Sequence, residues 1–161
     1  NYGDLRHCYD VLRSRWKKMG RSIYAQGEGY SRTELRRRMR DEGDVLLLGA
    51  ESFWKGFDVP GSSLSQIILT RLPFENPGHP LMEAKSERLN AKGKSPFREI
   101  TLPVAVTRFR QGLGRLIRRR SDSGRIVILD SRVLRKGYGK DFLRELPKQS
   151  FKVFRLSEIP L

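Results

Sequence analysis

Leu5, Cys8, Tyr9, Leu12 and Trp16 recur at spacings of three and four. The pattern puts one apolar stripe on a helix over residues 4–19, whose other face carries Arg6, Arg13, Lys17 and Lys18, and Gly20 ends it. Residues 22–26, with Ile23 and Tyr24, read as a short strand, and residues 27–30 as a loop. A second helix follows, with Ser31 as N-cap and Glu34 three residues on, running to about Glu42. Val45, Leu46, Leu47 and Leu48 form a continuous apolar run of the length expected for a parallel strand buried on both faces, too short for a helix.

A loop punctuated by Gly and Pro, residues 50–63, leads to a second apolar run over residues 66–72. Residues 73–80 hold three prolines and read as irregular, and residues 86–98 are polar and basic enough for a mobile excursion. Helical periodicity returns over residues 101–119, where Val106, Phe109, Leu113, Leu116 and Ile117 share one side and Pro103 sits near the start. Residues 124–130 form a third strand of the buried type, residues 131–146 one or two short helices, and residues 151–154 an edge strand. Strands alternating with helices predict an α/β fold with a mainly parallel sheet flanked by helices on both faces, in one domain over residues 1–161. The chain enters a helix with no strand before it, so the first strand is expected to have been lost by N-terminal truncation.

Composition narrows the class. The 161 residues suffice for one domain with a proper core, and 37% hydrophobic against 32% charged residues fits a well-solvated globular chain. No apolar run approaches the ~20 residues that cross a bilayer, and no signal-peptide pattern is present, so no membrane partner and an intracellular, cytoplasmic, nucleoid-associated location are expected. Cys8 is the sole cysteine, and His7 and His79 are distant in sequence; neither a disulfide nor a metal site assembles from them. The 33 Lys and Arg against 18 Asp and Glu give a net charge of +15, which favours a polyanionic partner, nucleic acid first. A basic solvated surface accounts for the charge equally well.

The segment richest in chemistry is Gln111-Gly-Leu-Gly-Arg-Leu-Ile-Arg118. Gln111, Arg115 and Arg118 lie four and three residues apart and would share a helical face. Phosphoryl transfer needs positive donors where charge builds on the γ-phosphate, and the planar guanidinium fork suits that need. An Arg-rich helix end is also a common phosphate-binding or solvated face. Two glycines inside a helix cost about 1 kcal/mol each relative to alanine and usually mark close backbone approach.

Gln-x-x-Gly-Arg-x-x-Arg at residues 111–118 resembles motif VI of superfamily 2 helicases, in the version found in the DinG/XPD family. Ser52-Phe-Trp-Lys-Gly-Phe-Asp-Val-Pro-Gly61 is similar to that family's motif V, and Leu72-Pro-Phe-Glu-Asn-Pro77 to the loop after its next strand. Ile128-Leu-Asp-Ser-Arg132 and Lys136-Gly-Tyr-Gly139 match its closing elements, and Gln26-Gly27 a short turn of its second domain. The order and spacing agree over residues 44–147, which is more specific than any one motif.

This resemblance implies a RecA-like second motor domain of an ATP-dependent DNA helicase with a role in DNA repair. In such motors ATP lies between two domains, the first bringing the phosphate-binding loop, the Mg²⁺ carboxylates and water activation. By resemblance Arg115 and Arg118 contact the nucleotide phosphates, one as the arginine finger, and Gln111 fixes the helix against the cleft. Gly56, Asp58 and Gly114 fall with the nucleotide and coupling positions, and Ser52, Phe53 and Trp54 near the single-stranded DNA track. Lys55 departs from the acidic residue common before the glycine, which removes a carboxylate role there. Read from the residues alone, Gly56 and Asp58 equally suit a tight turn with a cap. Phe53, Trp54 and Phe57 either stack on bases or pack in the core, with packing the weightier reading. The Arg32, Arg36–Arg38 and Arg40 run around Leu35 and Met39 reads as the basic outer face of a surface helix.

No Gly-x-x-x-x-Gly-Lys-Ser/Thr loop occurs, nor an Asp-Glu pair suited to Mg²⁺, so the chain alone is expected to be inactive, and any iron–sulfur cluster of the family would lie in the missing first motor domain. Two other readings stay open: a non-motor nucleic-acid-binding module using its arginines for phosphate contact, and the motor-like half of a DinG-type exonuclease.

Overall fold

A computed structural model describes residues 2–50, 53, 57, 63–75, 78, 80–118, 122–146 and 151–158. The order of elements is α1 (Tyr2–Lys18), β1 (Ser22–Ala25), α2 (Arg32–Asp41), β2 (Val45–Leu48), β3 (Gln66–Leu69), α3 (Pro80–Asn90), a π-helical turn (Phe97–Thr101), α4 (Leu102–Leu116), β4 (Arg125–Ile128), α5 (Arg132–Arg135), α6 (Gly139–Leu143) and a 3₁₀ turn (Leu156–Glu158). β1 pairs in parallel with β2, Ser22 opposite Val45, and β3 with β4, Gln66 opposite Arg125. Each parallel pair needs a crossover, which α2 supplies for the first and the α3–α4 stretch for the second. The result is the expected mixed α/β arrangement with short parallel pairs, consistent with a RecA-like domain.

Local chemistry explains the element ends. α1 closes in a Schellman turn, with the Arg21 N–H on the Trp16 carbonyl and the Gly20 N–H on that of Lys17. Ser31 caps α2, its Oγ accepting the Glu34 N–H at 3.1 Å, as its sequence predicts. Leu35 and Met39 turn inward from the same helix. From α1 only Tyr9 is buried, while Cys8 is exposed although the apolar spacing included it.

The main core lies between the β3–β4 pair and α4, α5 and α6. Leu69, Leu72, Ala105, Phe109, Leu113, Val133 and Phe142 are buried together, with Phe109 and Phe142 fully sequestered and edge to face at 5.4 Å. Full burial of one such side chain stabilises by roughly 1.5–3 kcal/mol. Gly139 is part of this packing: the Val133 carbonyl occupies the space a Cβ there would need, which explains the second glycine of the Lys136–Gly139 string.

Three expectations change. Residues 80–90 form a helix whose start overlaps the end of the stretch read as irregular, residues 73–80, and whose last turns overlap the start of the expected excursion, residues 86–98; α3 buries none of its side chains and has no apolar stripe to announce it. β2 is half-buried along its length rather than enclosed, because among the described residues it pairs only with β1. Residues 151–155 are exposed and irregular, with no ladder among the described residues, so the expected edge strand is absent there.

Candidate functional site

Three of the segments singled out follow the carboxyl ends of strands, where ligand sites of parallel α/β sheets form, while Gln111, Gly114, Arg115 and Arg118 lie at the end of α4, ahead of β4. β2 leads into the motif V segment, β3 into the loop at Leu72–Glu75, and β4 into Asp130–Arg132. Ser52, Trp54, Gly56 and Asp58 lie outside the described residues. Phe53 is half-buried, its ring stacked on Phe57 at 4.5 Å and 5.7 Å from the Arg32 guanidinium.

α4 is anchored by its inward face of Ala105, Phe109, Gly112, Leu113 and Leu116, all buried. This anchorage turns Gln111 and Gly114 outward and leaves Arg115 half-buried at the helix flank. Gln111 and Arg115, four apart, share the helix as expected. Arg118 does not. The helix ends at Leu116, Ile117 is extended at φ −114 and ψ 97, and the Arg118 N–H leaves the helical pattern for Asp122 Oδ2 at 2.9 Å. Gly124 lets Leu116 pack closely at this exit, since a Cβ there would lie 2.6 Å from Leu116 Cδ1. The two glycines of the motif also separate: Gly112 is packed into the core, whereas a Cβ at Gly114 would meet nothing within 4 Å among the described residues.

Beside this helix lies an open depression of about 320 Å³ lined by Pro103, Val104, Thr107, Arg108 and Gln111. Arg108 reaches across to Glu75 at 2.7 Å with its side chain only 12% exposed, which ties α4 to the loop after β3. Among the described residues no group of three or more His, Cys, Asp or Glu gathers to hold a metal ion, and no helix is long and apolar enough to cross a membrane. The donor set of guanidinium and side-chain amide suits phosphate oxygens.

Two clusters escaped the sequence reading. Asp130 is buried, accepting the Leu72 N–H at 2.8 Å and the Arg132 N–H at 3.0 Å, with the Arg132 guanidinium on both its oxygens. The Arg132 hydrogen bonds outweigh burial and hold its carboxyl at about 2, below the usual range. The pair joins the carboxyl ends of β3 and β4; the string Ile128–Arg132 marked the segment through its resemblance, but not the bond to Leu72. In the basic run of α2, Arg38 faces inward. It donates to the Tyr24 hydroxyl and Glu42 at 2.8 Å and sits 5.0 Å from the Tyr24 and Tyr30 ring centroids. Its guanidinium is therefore held in its charged form more firmly than usual, the bond to Tyr24 contributing most. That arginine belongs to the fold, while Arg37 and Arg40 remain on the exposed face.

Residues 1–149 match the helicase C-terminal domain family. The chain is 41% identical to the 3'-5' exonuclease DinG of Bacillus subtilis over 96% of its own length and 17% of that protein. It is 42% identical to the ATP-dependent DNA helicase YoaA of Escherichia coli over 78% of its length and 20% of that protein. With the ATP-dependent DNA helicase DinG of Photobacterium profundum the identity is 35%, over 91% of this chain and 22% of the relative. The chain thus spans about a fifth of the length of these relatives.

Proposed function

We propose, from the premise that this chain belongs to the helicase C-terminal domain family, that it is the second motor domain of a DinG-type ATP-dependent DNA helicase. It works against a preceding motor domain and contributes half of an interdomain ATP site and part of a single-stranded DNA track. The observation that carries this reading is the split of α4 into a locked inner face and an outward face bearing Gln111 and Gly114, with Arg115 at its flank and Arg118 just past its end.

ATP, when bound, supplies the phosphoryl group whose transfer drives the motor. Arg115 and Arg118 are the residues that would hold its phosphates, with one as the finger that meets charge developing at the γ-phosphate. Rigid anchorage of α4 keeps Arg115 from relaxing away from that charge, so its help is preorganised. Arg118 leaves the helix on an extended backbone whose N–H is held by Asp122, which gives its side chain a separate approach. The bare Cα of Gly114 leaves room on the outward face for close approach of the opposite lobe. Mg²⁺ and its carboxylate ligands belong to the preceding domain in this reading, since the side chains here are cationic. An iron–sulfur cluster, if the protein has one, belongs there too. In this reading Gly56 and Asp58 belong to the coupling positions, and Ser52, Phe53 and Trp54 to the single-stranded DNA track.

The test is single-stranded-DNA-stimulated ATP hydrolysis by the full-length protein, with Arg115→Ala and Arg118→Ala beside it. A finger is worth about 10³-fold or more in turnover. Unchanged turnover in both variants would sink the assignment. A second reading is favoured by the Bacillus relative, which is named a 3'-5' exonuclease: the same lobe serving an exonuclease. Nuclease action with no response to ATP would select it.

A further inference from the structure

Gln26 directly follows β1, and its backbone N–H donates to the Leu48 carbonyl at 2.9 Å, lengthening the β1–β2 ladder by one bond. Its side chain then does two more things. Oε1 accepts the Ala50 N–H at 3.0 Å, two residues past the end of β2, and Nε2 donates to the Tyr2 hydroxyl at 2.7 Å at the start of α1. One planar amide therefore links α1, the end of β1 and the first residues beyond β2. The fixed Ala50 peptide is the base of the next turn, because its carbonyl accepts the Phe53 N–H at 2.8 Å. Phe53 in turn packs over Gly49, where a Cβ would lie 2.9 Å from the ring, and stacks on Phe57. Position and side-chain length both matter: only a residue with an acceptor at this reach holds Ala50 without breaking the ladder.

We propose that Gln26 is a positioning residue for Ala50 and, through it, for Phe53, setting the placement of that aromatic ring toward single-stranded DNA. The inference rests on the motor reading above, which gives the loop its task. A side chain that merely closed the turn would affect folding alone. One that positions the loop also sets how much DNA is needed to stimulate ATP hydrolysis.

Four variants of the full-length protein separate these cases: Gln26→Leu, Gln26→Ala, Gln26→Glu and Tyr2→Phe. Glu keeps the acceptor for Ala50 and loses the donor to Tyr2, whereas Leu and Ala lose both; Tyr2→Phe removes the Tyr2 link and leaves the acceptor for Ala50 in place. Loss of one hydrogen bond of ~1 kcal/mol corresponds to about fivefold. Gln26→Leu and Gln26→Ala should therefore raise the single-stranded DNA concentration for half-maximal ATPase stimulation about fivefold, and speed amide exchange at Ala50 and Phe53 by a similar factor. Gln26→Glu and Tyr2→Phe should stay near wild type in both. Unchanged exchange in folded Gln26→Leu, or Gln26→Glu as impaired as Gln26→Leu, overturns the inference. Wild-type protein with no DNA-stimulated turnover overturns the motor reading instead, and the exchange comparison still decides whether Gln26 places the loop.

Discussion

Asp130 Oδ2 accepts the backbone N–H of Leu72 at 2.8 Å, bridging two positions 58 residues apart in the chain. The Arg132 guanidinium completes the bridge, so a carboxylate that burial alone would drive toward its neutral form stays ionised. Its carboxyl is held at about 2, below the ordinary 3.8, and this sign fixes the pH dependence. The stabilisation is complete above about pH 5 and is lost as pH falls through 4 toward 2. It amounts to about 2 kcal/mol. Asp130→Ala should lower the unfolding free energy by about 2–3 kcal/mol at pH 7. Urea titrations of both proteins should converge near pH 2; a gap that stays constant with pH would contradict the ionised bridge.

Arg115→Ala and Arg118→Ala should differ in how they fail. Arg115 stands on an anchored helix, and its loss should lower kcat with little change in the KM for ATP, about 10³-fold if it is the finger. Arg118 lies beyond the helix end and is exposed, so its larger effect is expected on KM. Steady-state ATPase measurements on the full-length protein read both, and identical kcat and KM profiles for the two variants would refute the division.

Gly124→Ala forces the Leu116 side chain to move, because a Cβ would fall within 2.9 Å of three of its carbons. Overpacking of this kind costs about 1–3 kcal/mol. Since Leu116 is the last residue of α4, kcat should fall together with stability, and pairing the variant with Leu116→Ala should restore part of both. No rescue would place the cause elsewhere.

Arg38 and Arg37 are neighbours with opposite expectations. Arg38→Met removes the hydrogen bonds to Tyr24 and Glu42 and the contacts with two rings, and should lower the thermal midpoint without altering the salt dependence of DNA binding. Arg37→Met, on the exposed face, should leave the midpoint in place. If it touches a phosphate, the slope of log K against log salt falls by about 0.7. Equal midpoints for the two variants would argue against the inward network.

The elements legible in the sequence are those whose signals are local. The Ser31 cap, the Gly20 stop and the apolar face of α4 through Phe109 and Leu113 each depend on residues within a few positions. What escaped depends on partners far along the chain or on none. α3 buries nothing and follows a proline-rich stretch, so neither periodicity nor composition marks it. Spacing placed Arg118 on the helix with Gln111 and Arg115, but contact between Leu116 and Gly124 and the pull of Asp122 decide the exit. Asp130 and Gln26 fall in strings the resemblance marks, but what they hold is not legible there, because the amides belong to other strands' loops.

Those last two residues are the same device built twice. In each parallel pair, a side chain just past one strand grips a backbone amide just past the other, at Ala50 in the first pair and Leu72 in the second. One grip is neutral and the other is ionic. Acidification toward about pH 2 therefore releases the Leu72 latch while leaving the Ala50 latch shut, and a strongly acidic sample should hold a half-opened molecule in which one rim has loosened before the other.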